Sequence, residues 1–199
     1  MARRNPYAKP DGFTRNAKER GYPARSVFKL EEMDRRLRLF RSGMRVLDLG
    51  AAPGSWSLYA SQRIGPKGRL LAVDLEPLRV ALPAYATFVQ GNALTLEDGS
   101  LSAEGPYQVV LSDMAPRTTG NRLVDQARSF DLFQRALAVA ATLAEVGGTF
   151  VGKLFMGDDF ETARTELRRH FDADRVVRPE STRSTSFEVF LVGLGKRPS

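Results

Sequence analysis

A chain of 199 residues with 42% hydrophobic content is long enough for one domain with a full-sized core, with no obvious room for a second. It has no cysteine and a single histidine, His170, which excludes disulfides, thiolate metal sites and cysteine nucleophiles, makes histidine-based catalysis a poor reading and leaves no metal site to expect. The net charge of +7 belongs to one segment: residues 1–41 hold twelve Lys or Arg against five Asp or Glu, and the remainder is balanced.

Residues 1–10 are basic without an apolar stretch, and the longest apolar run, residues 136–144, is too short to span a bilayer, so a cytoplasmic protein with no membrane association is expected. Arg3, Arg4, Lys9, Arg15, Lys18, Arg20 and Arg25 interleave with Tyr7, Phe13 and Tyr22. Cations neutralise phosphates and aromatic rings stack on unpaired bases, so residues 1–22 read as an RNA-binding arm ahead of a single domain spanning residues 23–199. Residues 24–40 read as a helix, because Val27, Leu30, Met33, Leu37 and Phe40 form one stripe; Ser42-Gly43 ends it. Lys29 lies beside that stripe and, taken alone, is an ordinary ion-pairing lysine.

Residues 44–49 form an apolar strand, and the run Val46-Leu47-Asp48-Leu49-Gly50-Ala51-Ala52-Pro53-Gly54-Ser55-Trp56-Ser57 then reads as strand, glycine loop and helix start. Such a loop turns backbone N–H groups and a helix N-terminus toward a ligand. Its spacing departs from the G-x-G-x-x-G fingerprint of a dinucleotide pyrophosphate, and a proline stands where close phosphate approach needs another glycine. A cofactor that carries an adenosine and a cationic centre but no phosphate fits better, namely S-adenosylmethionine. Asp74, after a strand at residues 69–73, stands where a carboxylate would hold the cofactor ribose.

Residues 77–82 offer at most a short helix before Pro83, and residues 87–90 a short strand ending at Gly91-Asn92. A fourth strand, residues 108–111, runs into Ser112-Asp113-Met114-Ala115-Pro116, and an acid at the carboxyl end of a buried parallel strand points into the ligand crevice. Residues 123–146 read as a long alanine-rich helix closed by Gly147-Gly148, and residues 149–155 as a fifth strand. That strand contains Lys153, and an apolar flanking run predicts burial, which is rare for an unpaired lysine. A helix at 158–171 and strands at 175–178 and 187–194 complete the alternation of a doubly wound sheet; Glu188 is the one charged residue within the apolar run from Phe187 to Val192.

Lys29, Asp113, Lys153 and Glu188 together resemble the K-D-K-E tetrad of RNA ribose 2'-O-methyltransferases of the FtsJ/RrmJ (RlmE) type. The motifs that carry the resemblance are Ser26-Val27-Phe28-Lys29-Leu30, the Asp48 to Ser57 loop, Ser112 to Pro116, Gly152-Lys153-Leu154-Phe155, and Ser181 to Val189 with Arg183. It extends from about Arg15 to Lys196. It implies a Rossmann-like class I methyltransferase fold: an α/β protein with a mostly parallel seven-stranded sheet, an antiparallel last strand and helices on both faces. It implies Lys153 as the base for a ribose 2'-hydroxyl, with Asp113, Lys29 and Glu188 positioning it; a nearby second ammonium would favour the neutral amine. It also implies S-adenosylmethionine held by Gly54, Trp56, Asp74, Asn92 and Asp113, and, as partner, a uridine of large-subunit (23S) ribosomal RNA or the assembled large subunit, with no protein partner evident. Ser55, Asn92 and Arg117 depart from the residues common at those places in the family. The same reaction on tRNA or another RNA, a non-catalytic RNA-binding Rossmann domain and, more distantly, an NAD-dependent oxidoreductase are the alternative readings.

Overall fold

The computed structural model describes residues 12–95, 98–102 and 104–198. Arg3, Arg4, Tyr7 and Lys9 of the expected basic arm lie outside the described residues. Seven strands form one sheet: β1 (Arg45–Leu49), β2 (Arg69–Asp74), β3 (Ala86–Gln90), β4 (Tyr107–Ser112), β5 (Ala144–Phe155), β6 (Phe171–Val177) and β7 (Glu188–Lys196). Their order is β3-β2-β1-β4-β5-β7-β6, the first five in that order being mutually parallel and β7 antiparallel to both of its neighbours. The expected mostly parallel α/β sheet with an antiparallel last strand is the fold observed.

Apolar residues on both faces of the central strands make two cores, because a parallel sheet with connecting helices is covered on both sides. On one face lie α1 (Gly12–Glu19), α2 (Val27–Leu37) and α3 (Ser55–Ile64), packing Ala17, Leu30, Met33, Trp56 and Ile64 against Val46, Val109, Val151 and Phe190. The other face carries α4 (Asp98–Ser102), α5 (Arg122–Leu143) and α6 (Phe160–His170), with Leu101, Phe133, Ala136 and Leu167 against Leu47, Val110, Phe150 and Leu191.

Several expectations are corrected. Helix α2 stops at Leu37 because Arg38 takes a left-handed conformation, and the buried Asp34 carboxylate then accepts the Phe40 N–H at 3.2 Å, which turns Leu39 and Phe40 into the core. Residues 77–82 form no helix; the segment is pinned instead by the Arg79 N–H, which donates to the Pro53 carbonyl. Helix α5 ends at Leu143, three residues short of the reading, because Ala144 already pairs with Tyr107 and the Glu145 carboxylate accepts a bond from Gln108 at 2.5 Å. The described part of the basic segment is folded onto the domain. Ala17 and Tyr22 are buried, the Tyr22 hydroxyl donates to Gln62 at 2.8 Å, and Arg20 pairs with Glu31, so Tyr22 offers no ring for a base to stack on.

Candidate active site

Every strand from β1 to β5 ends at the same edge of the sheet, and β7, running the opposite way, begins there. Asp74 closes β2, Asn92 follows β3, Asp113 follows β4, Lys153 sits near the end of β5 and Glu188 opens β7. Across β5 and β7, Lys153 stands opposite Phe190 and Phe155 opposite Glu188, so Lys153 and Glu188 project from one face as diagonal neighbours. Helix α2 covers that face and brings Lys29 over it.

The four residues form two ion pairs. Lys153 Nζ lies 3.0 Å from Asp113 Oδ1 and 2.5 Å from the Asp113 carbonyl oxygen, while Lys29 pairs with Glu188. All four side chains are largely buried, at 7%, 17%, 14% and 11% exposure in the order Lys153, Asp113, Lys29, Glu188, so each charge has a partner where isolation would be costly. Phe190 joins the pairs: it is the register partner of Lys153, and its ring centroid is 6.0 Å from Lys29 Nζ.

Two clefts flank this cluster, and they differ in charge. The first, about 340 Å³, is lined by Gly50, Asp74, Glu76, Asn92, Asp113 and the apolar Leu75, Leu94, Met114 and Leu132, with three carboxylates and no Lys or Arg. A pyrophosphate would be repelled there; a cation carrying a flat apolar ring would not. The second, about 450 Å³, is lined by Arg25, Lys29, Thr118, Ser181, Arg183 and Glu188 among others. Burial, and then the neighbouring Arg183 charge, holds the Arg25 guanidinium below its ordinary pKa, which marks this cleft as a place where cations crowd. Asp113 belongs to the first cleft and Lys29 and Glu188 to the second.

The acidic cleft is built by its own backbone. Gly50, at φ +78°, has no room for a side chain, since a Cβ would fall 2.6 Å from Met114 Cγ. Asp74 fixes the loop by accepting the Ala52 N–H at Oδ2 and the Glu76 N–H at Oδ1, each at 2.8 Å. Asn92 lines the cleft while its Oδ1 accepts the Leu94 N–H at 3.0 Å. Beneath the loop, Asp48 is fully buried; burial pushes its carboxyl up to about 7, opposed by the Ser57 hydroxyl that donates to Oδ2 at 2.6 Å and reinforced by the Asp113 and Asp74 charges.

Gly54 and Trp56 do not line the acidic cleft. Gly54 has φ +109° and a Cβ there would meet Val80 Cγ1 at 2.5 Å. The Trp56 indole is buried against Phe190 (5.5 Å between centroids) and its N–H donates to the Ser26 carbonyl at 2.9 Å. Ser55 adds to this clamp, its hydroxyl accepting from the Ala24 N–H at 2.8 Å and facing the Ala24 carbonyl at 3.1 Å. The start of α3 therefore holds the start of α2, which presents Lys29. No pattern in the sequence pointed to this clamp, because serine after a glycine loop is unremarkable by itself. Arg117 stands at the rim with Nη2 3.8 Å from Glu76, both exposed. Among the described residues no cluster of His, Asp or Glu could hold a metal ion, and no helix is long and apolar enough to cross a membrane.

Comparison with known proteins agrees with this arrangement. Residues 22–196 match the family model described as FtsJ-like methyltransferase. A protein of Sorangium cellulosum named ribosomal RNA large subunit methyltransferase E is 60% identical over 98% of this chain and 92% of its own length. One of the same name from Nitratidesulfovibrio vulgaris is 50% identical over 94% of each. Among solved structures, a ribosomal RNA methyltransferase from Plasmodium falciparum superposes with a TM-score of 0.78 over 89% of this chain and 100% of that one; at 22% identity it speaks for the fold alone.

Proposed function

The chain belongs to the FtsJ-like methyltransferase family and is an RNA methyltransferase, and from that premise we propose that it transfers a methyl group from S-adenosylmethionine to the ribose 2'-oxygen of a uridine in large-subunit (23S) ribosomal RNA. The observation that carries this reading is the buried Lys153–Asp113 pair, whose carboxylate also lines the acidic cleft. It sets a proton-accepting nitrogen beside the place where a sulfonium cofactor fits.

The residues of the acidic cleft suit that cofactor. Asp74 retains lone pairs for the two ribose hydroxyls, Asn92 with Leu75, Leu94 and Leu132 suits an adenine ring, and Asp113 offers its negative charge to the cationic end. When bound, S-adenosylmethionine supplies a methyl group already activated by the sulfonium, so little is asked of the protein beyond alignment and removal of one proton. Lys153, in its amine form, takes the proton that the 2'-hydroxyl gives up. Asp113 holds that nitrogen in place through Oδ1 and the carbonyl, and Lys29 with Glu188 borders the ribose on the side of the basic cleft. Arg25 and Arg183 there suit the RNA phosphates, and the basic residues at 1–22 add contacts at longer range. The protein works in the cytoplasm, where the ribosomal subunits are assembled.

The test is the chemical position of the methyl group. RNA incubated with the protein and S-adenosylmethionine is hydrolysed in alkali and the resistant linkages are mapped. A 2'-O-methyl group removes the nucleophile for alkaline cleavage, so one resistant linkage at a uridine of 23S RNA is expected. A methyl group recovered on a base would overturn the reading.

A further inference from the structure

At the same edge of the sheet, two residues beyond Lys153, a pair of aromatic rings is left unused by both cores. Phe155 and Phe187 meet edge to face, with centroids 4.8 Å apart and planes at 70°. Both are only partly buried, and neither belongs to either hydrophobic cluster. Their backbones are fixed: Phe155 is the register partner of Glu188, and the Met156 N–H donates to the Phe187 carbonyl at 2.8 Å. The rings are therefore positioned by the strands that position the tetrad, without serving the packing of the domain.

Arg122 completes the group. Its guanidinium carbon lies 5.4 Å from the Phe187 centroid, and no carboxylate of the described residues lies within ion-pair distance of it. It is the first residue of α5, where the helix dipole disfavours a cation, and Asn121 already caps the helix by accepting the Leu123 and Val124 N–H groups. An exposed cation kept at an unfavourable helix end over a half-exposed ring matches the chemistry of nucleobase stacking, in which a flat heterocycle takes an aromatic face and a guanidinium plane.

The distance suits one base in particular. Two residues along a strand span about 6.6 Å, comparable to the reach from a ribose 2'-oxygen across its own base. We propose that Phe155, Phe187 and Arg122 form the platform on which the base of the methylated nucleotide stacks. The proposal rests on the reading that the target ribose meets Lys153.

The test uses two forms of one short RNA: the intact form carrying the nucleotide located by alkali mapping, and a form with an abasic ribose at that position, which keeps the 2'-hydroxyl. Single-turnover kcat/KM is measured for the parent chain and for Phe187→Ala, Phe187→Leu and Phe187→Tyr. The loss of one base stack predicts that Phe187→Ala and Phe187→Leu fall about tenfold on the intact RNA. On the abasic RNA they should match the parent, Phe187→Tyr should restore the rate, and calorimetric affinity for S-adenosylmethionine should not move. The leucine variant keeps apolar packing, so it separates stacking from folding. Equal losses on both RNAs overturn the platform. Failure of the underlying reading is distinct, since the parent chain would then leave no alkali-resistant linkage at all.

Discussion

Asp113 holds Lys153 twice, through its carboxylate at 3.0 Å and through its own backbone carbonyl at 2.5 Å. Replacing the side chain removes only one of these bonds. Asp113→Ala should leave Lys153 in place on the carbonyl yet free to swing, and a misplacement of that kind costs about 10²-fold in rate. Single-turnover assays with saturating cofactor test this; a loss below threefold would mean that the carbonyl alone suffices.

The Lys29–Glu188 pair is buried at 14% and 11% side-chain exposure, so removing one partner strands the other. Glu188→Ala should destabilise the fold by about 3 kcal/mol, because a largely buried ammonium is left without its partner. The double variant Lys29→Met with Glu188→Leu should regain most of that stability while remaining slow in methyl transfer. Urea denaturation of the three variants decides it, and equal stability of Glu188→Ala and the parent would refute the pair as a structural element.

Asp48 gives the stability a pH dependence. Its folded pKa, about 7, stands above the unfolded value of 3.8. Between these values the folded chain keeps a proton that the unfolded chain has given up, so stability falls as pH rises through the window and levels off above about pH 7. Asp48→Asn removes this slope. At about pH 8 the variant should be more stable than the parent by a few kcal/mol, with the gap closing toward about pH 4. Parallel curves for the two proteins would show that Asp48 does not titrate in this range.

The charge excess before Ser42 should govern RNA affinity at long range. Arg3→Ala, Arg4→Ala and Lys9→Ala combined should weaken RNA binding and make its logarithmic salt dependence shallower by about 0.7 for each phosphate no longer neutralised. Affinity for S-adenosylmethionine should stay unchanged. An unaltered salt slope would assign the segment no part in binding.

The site was legible in the sequence wherever one strand end determines the position of one residue. Asp74 and Asp113 could be read that way, since a charge at the carboxyl end of an apolar parallel run faces the crevice; Lys153 stood out only as a lysine inside an apolar run. The pairing of Lys29 with Glu188 could not, because it depends on β7 entering between β5 and β6, and strand order is not written in local periodicity. The resemblance implied Trp56 as a cofactor-binding residue; its indole lies in the core, against Phe190 and the Ser26 carbonyl, an orientation that local sequence does not specify. Helix ends were misjudged where a tertiary bond outweighed propensity, as with the Phe40 N–H bound to Asp34 beyond α2 and Ala144 beyond α5. Tyr22 was misassigned for a similar reason: composition located the basic segment, but not which of its rings the domain buries.

The central claim is that Lys153 acts as the base for ribose methylation, and single-turnover methyl transfer by Lys153→Ala tests it most directly. General-base contributions are about 10²–10⁴-fold, so a loss of that size is predicted in a variant that still folds, with RNA and S-adenosylmethionine affinities close to those of the parent. A loss below tenfold under the same conditions would contradict it and leave Lys153 as an RNA-binding residue only.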